Sequence, residues 1–387
     1  MMGTITDHCA IVGVGESGRS RNSGMTPLHL ALDAARTALT DAGLEAKDID
    51  GFMSYNENDS CTSHELATYL GVRPKYVKDI HGGGASTELL IADAVGLIEM
   101  GEVDTVMIFR SMNGSSGQQV GRGYDPDMLQ TALPGGSHII PYGSASPSQW
   151  FGMFATRHMH ETGITKEHLG HVCLSFYEYA QRNPRAFLHG KPLTMEKYLE
   201  TPDISYPFNI HDSCLELDEA NAIIVTTSDR AADCKQRPVY IMGLESRQCH
   251  PHAHYWSDTS KVASDYVAKG LYQSAGVKPE DIDVAAIYDC FSWVVLRQLE
   301  AYGFAPRGEV GDFVSEGNLK IDGKLPTNTA GGMLSEGYTH GMNNALELVR
   351  QLRHDYKDTE RQVKNCELGI CTGWAGPDIA GALILRN

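Results

Sequence analysis

The residues able to do chemistry gather in a few glycine-rich segments. Gly331-Gly332-Met333-Leu334-Ser335-Glu336-Gly337-Tyr338-Thr339-His340-Gly341 sets a phenol and an imidazole two residues apart between glycines. A second phenol, Tyr288, follows the apolar run Val284–Ile287 and precedes Asp289-Cys290. Phenol, imidazole and carboxyl groups suit a reaction that removes a proton at one atom and returns one at another. A free phenol has a pKa of about 10, so a tyrosine base needs tuning by its neighbours or a proton relay. Asp289 and His340 are the relay candidates. Cys371 opens a third segment, Cys371-Thr372-Gly373-Trp374-Ala375-Gly376. Gly82-Gly83-Gly84 precedes a helical pattern and is shaped to cradle a phosphate, but lacks the Lys-Ser/Thr of a phosphate-binding loop. His250-Pro251-His252-Ala253-His254 resembles a metal tract. Pro251 and the absence of a nearby cysteine or acidic cluster argue against it, and no metal site is expected.

An internal echo supplies the elements that must position these groups. Ala-Gly-Leu-Glu-Ala-Lys-Asp-Ile-Asp at 42–50 is matched by Ala-Gly-Val-Lys-Pro-Glu-Asp-Ile-Asp at 275–283. A helical pattern precedes each copy, at Pro27–Asp41 and Ser257–Ser274, and the glycine is a natural C-cap. An apolar strand follows each, Phe52–Tyr55 and Val284–Ile287, and Tyr55 falls opposite Tyr288. The repeat predicts an α/β protein made of two duplicated halves. We place them at 1–237 and 238–387, with a loop or cap region at about 111–220 inside the first. Ala85–Met100 reads as a helix and Thr105–Phe109 as a buried strand. Residues 111–147, rich in Gly, Ser and Pro, read as a functional loop.

Val284 to Ser292 resembles the strand–turn–helix of sterol-carrier-protein-x type thiolases. The 331–341 segment resembles the thiolase loop Gly-Gly-x-x-x-x-Gly-His-Pro-x-Gly. Glu300–Phe304, Asp322–Gly332 and Gln351–Arg353 continue the pattern, and the likeness spans essentially the whole chain. It implies the thiolase fold, with two α/β halves in five layers, α-β-α-β-α.

Three departures from that family matter. Gly84 stands where the family has its nucleophilic cysteine. Tyr288 stands where it has Asn or His, and Tyr338 where it has His. Cys371 resembles the family's acid/base thiol. Without an acyl-accepting partner it cannot complete a ping-pong transfer, and a structural role is expected. Ser86 shows no adjacent base. The pattern resembles the thiolase-like aldolases that shorten bacterial steroid side chains, which use paired tyrosines.

That resemblance implies Tyr288 and Tyr338 as the catalytic pair. The expected reaction is retro-aldol cleavage of a β-hydroxyacyl-CoA, a 17-hydroxy steroid ester, to a 17-ketosteroid and propionyl-CoA or acetyl-CoA. Gly82 to Gly84 are expected to open room for the bulky acyl group. Backbone N–H groups near Gly332, Gly341 and Gly373 are expected to hold the enolate oxygen. It also implies a homodimer joined by a small zinc-ribbon and oligonucleotide-binding-type partner, as an α2β2 assembly. No cofactor is expected beyond the substrate's own CoA, with zinc only in the partner. The alternatives are an acyltransferase of the thiolase type and a non-catalytic scaffold.

Composition narrows the function classes. With 387 residues and a net charge of −17, a broad basic surface for nucleic acid is improbable. The acidic chain repels CoA at long range, so local Arg and Lys residues or the partner must hold its phosphates. A hydrophobic content of 42% and a mean hydropathy of −0.27 fit a soluble protein. There is no apolar run of about 18 residues and no secretory pattern at the start. Nine cysteines without a C-x-x-C pair point to a reducing cytoplasm.

Overall fold

In a computed structural model, residues 6–56, 59–117, 119, 136–248 and 260–387 are described. The histidine tract at 250–254 and much of the 111–147 segment lie outside these residues. The echo is three-dimensional. The helices Pro27–Ala42 and Ala263–Ala275 end on Gly43 and Gly276, at φ 72° and 70°, left-handed caps that glycine adopts without strain. One turn of 3-10 helix follows each. Asp48 accepts from the Glu45 backbone N–H, and Asp281 from that of Lys278, both at 2.8 Å.

Strands β1 (Cys9–Glu16), β2 (Gly51–Tyr55), β3 (Tyr76–Ile80), β4 (Thr105–Asn113) and β5 (Asp218–Thr227) form the first half-sheet, in the order β3-β2-β4-β5-β1. Strands β6 (Val239–Gln248), β7 (Val284–Ile287), β8 (Leu368–Ala375) and β9 (Ile379–Arg386) form the second, in the order β6-β9-β8-β7. Each half pairs the strand of its repeat in parallel with a neighbour, β2 with β4 and β7 with β8. Two antiparallel pairings follow in each, β4-β5-β1 and β8-β9-β6. The halves join edge to edge through two residue pairs, Ala10 with Tyr240 and Ile11 with Val239.

The layers follow from which helices touch which strands. Ser86–Glu99 and Met342–Arg353 each contact strands of both halves and form the middle layer. Pro27–Ala42 covers the outside of the first half-sheet and Ala263–Ala275 the outside of the second. This is the α-β-α-β-α order. Strands covered on both faces must be apolar throughout, and β1, β4 and β9 are buried along nearly their whole length.

The inserted helices Pro147–Thr162 and Lys166–Arg182 belong in sequence to the first half but pack on the second. Ala155, Leu169, Val172 and Phe176 share one apolar cluster with Trp293, Leu299 and Val310. Phe208 stacks on Phe291 with centroids 4.8 Å apart, which closes the insert over the segment after Tyr288. Among the described residues, no helix is long and apolar enough to cross a membrane.

Candidate active site

Duplication places the reactive phenols. β2 ends on Tyr55, and Tyr288 directly follows β7 at the equivalent point of the other half. Tyr288 is 3% exposed and Tyr338 6%. Tyr338 lies close enough to the Tyr288 hydroxyl to favour its phenolate. Burial outweighs this and pushes both phenols well above the usual tyrosine value. Tyr55 lies near enough to couple electrostatically with both, so the site holds three tyrosines.

Gly84 meets this pair, but in a different role from the one expected. A Cβ built on Gly84 would fall inside the Tyr288 ring, overlapping Cζ and the hydroxyl. The missing side chain leaves room for the phenol and none for a substrate ring. Its neighbours are filled as well. A Cβ at Gly82 would meet Ser86 Oγ at 2.8 Å, and one at Gly83 would meet Ala375 Cβ at 2.7 Å. The expected acyl pocket at Gly82 to Gly84 is therefore corrected to a seat for Tyr288. Gly84 O accepts from the Trp374 N–H at 3.1 Å, which ties this turn to β8. Ser86 Oγ is spent on Gly83 O at 2.7 Å.

Two buried carboxylates hold the Tyr338 loop. Glu219 packs against Gly337 and pairs with Arg19 at 2.9 Å. Arg19 also reaches Glu336 at 3.2 Å. Asp289 is fully buried and accepts from Asn344 Nδ2 at 2.8 Å and from the Leu334 N–H at 3.2 Å. Burial raises its pKa to about 7. The donors to Asp289 are amides of the 328–344 region. Its expected part as a relay to a phenol is corrected to anchoring that loop. Gly332 belongs to this anchor, since a Cβ there would overlap Asp289 Oδ2. Gly341 lies against the ring of Tyr288, its built Cβ 3.0 Å from Cδ2.

His340 joins the pair. Its ring centroid is 4.5 Å from that of Tyr338 and 4.8 Å from that of Tyr55. Arg110, 1% exposed, donates from Nε to His340 Nδ1 at 3.4 Å. The guanidinium binds Asp59 through both terminal nitrogens, at 2.8 and 2.5 Å, and lies 4.5 Å over the Tyr55 ring. Burial, then the Arg110 charge, hold the imidazole well below its usual pKa, so it is neutral. Sequence reasoning did not place Arg110 and Tyr55 in the site. The echo marked Tyr55, and a lone arginine inside the apolar strand Thr-Val-Met-Ile-Phe-Arg-Ser-Met was a readable signal for Arg110.

Cys371 is buried. Its thiol donates to Glu88 Oε1 at 3.2 Å, and burial raises it well above its usual value. Glu88 fills the space that Gly373 leaves, so Gly373 faces a carboxyl where an enolate oxygen was expected. Glu88 Oε2 has no hydrogen-bond partner. Burial alone pushes this carboxyl up to about 8. Sequence reasoning missed Glu88, although it shares the buried face of its helix with Ile91 and Val95.

A raised carboxyl pKa binds its proton more tightly in the folded state. Stability is thus lost as pH rises from the unfolded value toward about 8. Glu88→Gln is expected to match the wild type near pH 4. The variant gains on it as pH rises to 8, by up to about 1.4 kcal/mol per pH unit. Urea melts at several pH values check this, and a gap that does not grow with pH refutes it.

A profile for the family described as Thiolase C-terminal domain-like matches residues 246–386. A steroid side-chain-cleaving aldolase of Thermomonospora curvata is 34% identical over 380 residues, covering 96% of this chain and 97% of the relative. The 17-hydroxy-3-oxo-4-pregnene-20-carboxyl-CoA lyase of Mycobacterium tuberculosis is 35% identical over 359 residues, covering 90% and 92%. The solved Ltp2-ChsH2(DUF35) aldolase superposes with a TM-score of 0.91 at 33% identity and covers 99% of each chain. The lost thiol, the paired phenols and these full-length relatives agree: the chain belongs to the thiolase superfamily, in the group that contains the steroid side-chain-cleaving aldolases.

Proposed function

We propose that this protein is a carbon–carbon lyase that cleaves a β-hydroxyacyl-CoA by a retro-aldol reaction. The observation that carries the reading is the Tyr288 ring standing in the space of a side chain at position 84, beside Tyr338. A thioester exchange needs a thiol at that place, and the phenol excludes one. One full-length relative is named a steroid side-chain-cleaving aldolase and the other a lyase of a 17-hydroxy steroid carboxyl-CoA, and the substrate class follows from these names. The substrate is a 17-hydroxy steroid carrying a short CoA-thioesterified side chain. The products are a 17-ketosteroid and propionyl-CoA, or acetyl-CoA for a shorter side chain.

The electron count is simple. The β-hydroxyl loses its proton to one tyrosine, and its oxygen becomes the ketone. The Cα–Cβ electron pair moves into the thioester as an enolate, and Cα takes a proton from the other tyrosine. One proton is removed and one returned, so an adjacent pair of phenols carries the cycle. Both phenols are protonated at rest because burial opposes the phenolate. As one phenol takes the proton of the substrate hydroxyl it passes its own to the other, which gives its proton to Cα, so both end protonated. Nothing is oxidised or reduced, and no cofactor is required beyond the substrate's CoA.

A second copy and a DUF35-type partner complete the enzyme. The solved aldolase that superposes at a TM-score of 0.91 is named as a complex with such a partner. A zinc ribbon and an oligonucleotide-binding-type barrel in that partner, an α2β2 assembly and a cytoplasmic site of action fit this reading. The test is reconstitution with the DUF35 protein encoded nearby, followed by mass spectrometry of products from cyclic and linear β-hydroxyacyl-CoA substrates. Release of ketosteroid and propionyl-CoA in equal amounts is expected, with no acyl-enzyme by intact mass. Inactivity of the complex on all substrates favours a scaffold, and an acyl adduct on a cysteine favours acyl transfer.

A further inference from the structure

A retro-aldol step needs a hydrogen-bond donor for the thioester oxygen as it becomes an enolate. Two of the three glycines expected to supply it lie against carboxyls: Gly332 faces that of Asp289 and Gly373 that of Glu88, and an ionised carboxyl repels an oxyanion. A side-chain donor in the site would serve the same oxygen.

His340 is built for it. A guanidinium only donates, so the Arg110 Nε contact makes Nδ1 of His340 the acceptor and leaves the ring proton on Nε2. Among the described residues no group takes that Nε2 proton. The backbone of His340 is left-handed, at φ 51°, and Gly341 follows at φ 86°. Such a conformation is uncommon for a non-glycine residue and marks a constrained position. Here the turn brings the ring beside Tyr338 and Tyr55.

We infer that His340 Nε2 donates to the thioester oxygen of the substrate and holds the enolate, and that Arg110, fixed by Asp59, is the positioning residue that sets its tautomer. No proton is transferred in this contact. The imidazole stays neutral while the Cα–Cβ bond breaks and the two phenols move the protons. The inference rests on the cleavage reading above.

Two substitutions separate the ring's nitrogens. His340→Asn keeps an acceptor at the Nδ1 place for Arg110, tolerates the left-handed backbone, and lacks only the distal donor. His340→Gln keeps a distal N–H and loses the Arg110 contact. We expect kcat to fall about 100-fold or more in His340→Asn with KM changed by less than about threefold. His340→Gln should stay within about tenfold of the wild type. Exchange of the Cα hydrogens of propionyl-CoA in D2O, which needs the enolate but no steroid, should fall in parallel in His340→Asn. Equal losses in both variants, or full activity and exchange in His340→Asn, overturn the donor assignment. If the wild-type complex exchanges propionyl-CoA hydrogens but cleaves no substrate, the cleavage reading fails while the donor assignment stands.

Discussion

Gly84→Ala is expected to lose about 1,000-fold or more in kcat/KM on every substrate, with steroid and short linear β-hydroxyacyl-CoA esters affected alike. One methyl group has this effect because its carbon would lie within the Tyr288 ring. The phenol has little room to retreat. Gly341 also packs against the ring, at Cδ2, and the Gly84 turn is tied through Trp374 to β8. A shift of even about 1 Å takes the hydroxyl out of line with Tyr338 and the reacting oxygen. The effect is therefore independent of substrate size. A glycine that opened a steroid pocket would instead penalise bulky substrates selectively. The measurement is kcat/KM for both substrate classes, with thermal melts to confirm folding. A selective loss on the steroid would place the ring system beside Gly84 after all.

Tyr288→Phe and Tyr338→Phe each remove one hydroxyl and keep the ring. Each is expected to cost at least about 100-fold in turnover, because proton transfer by a positioned group contributes that much or more. The double variant should fall little below the worse single one, since the two hydroxyls are adjacent and act as a unit. Single-turnover rates measure this without interference from product release. Stability should change little, as each phenol is neutral in the folded and unfolded states at ordinary pH. Near-full activity in both single variants would remove the tyrosines from the mechanism.

The two half-folds were legible in the sequence because their signals are local. A helix, its glycine cap, the Asp-Ile-Asp turn and an apolar strand follow one another without interruption in each copy. Cap and turn geometry depends on neighbours along the chain, so Gly43 and Gly276 adopt the same left-handed conformation. The positions of Tyr288 and Tyr338 were readable for the same reason, as each ends a recognisable strand or loop. Who touches whom was decided only by tertiary packing. Asp289 stands beside Tyr288 in sequence, yet its hydrogen bonds lead to the 328–344 region. Gly84 looked like open space until Tyr288, from the other half of the chain, was folded into it. Arg110 reaches His340 across 230 positions, and Glu88 reaches Cys371 across 283. Residue type and periodicity record whether a side chain is buried. They carry no record of which distant group will share its hydrogen bond, because that choice is made by the close packing of the two halves around the middle helices.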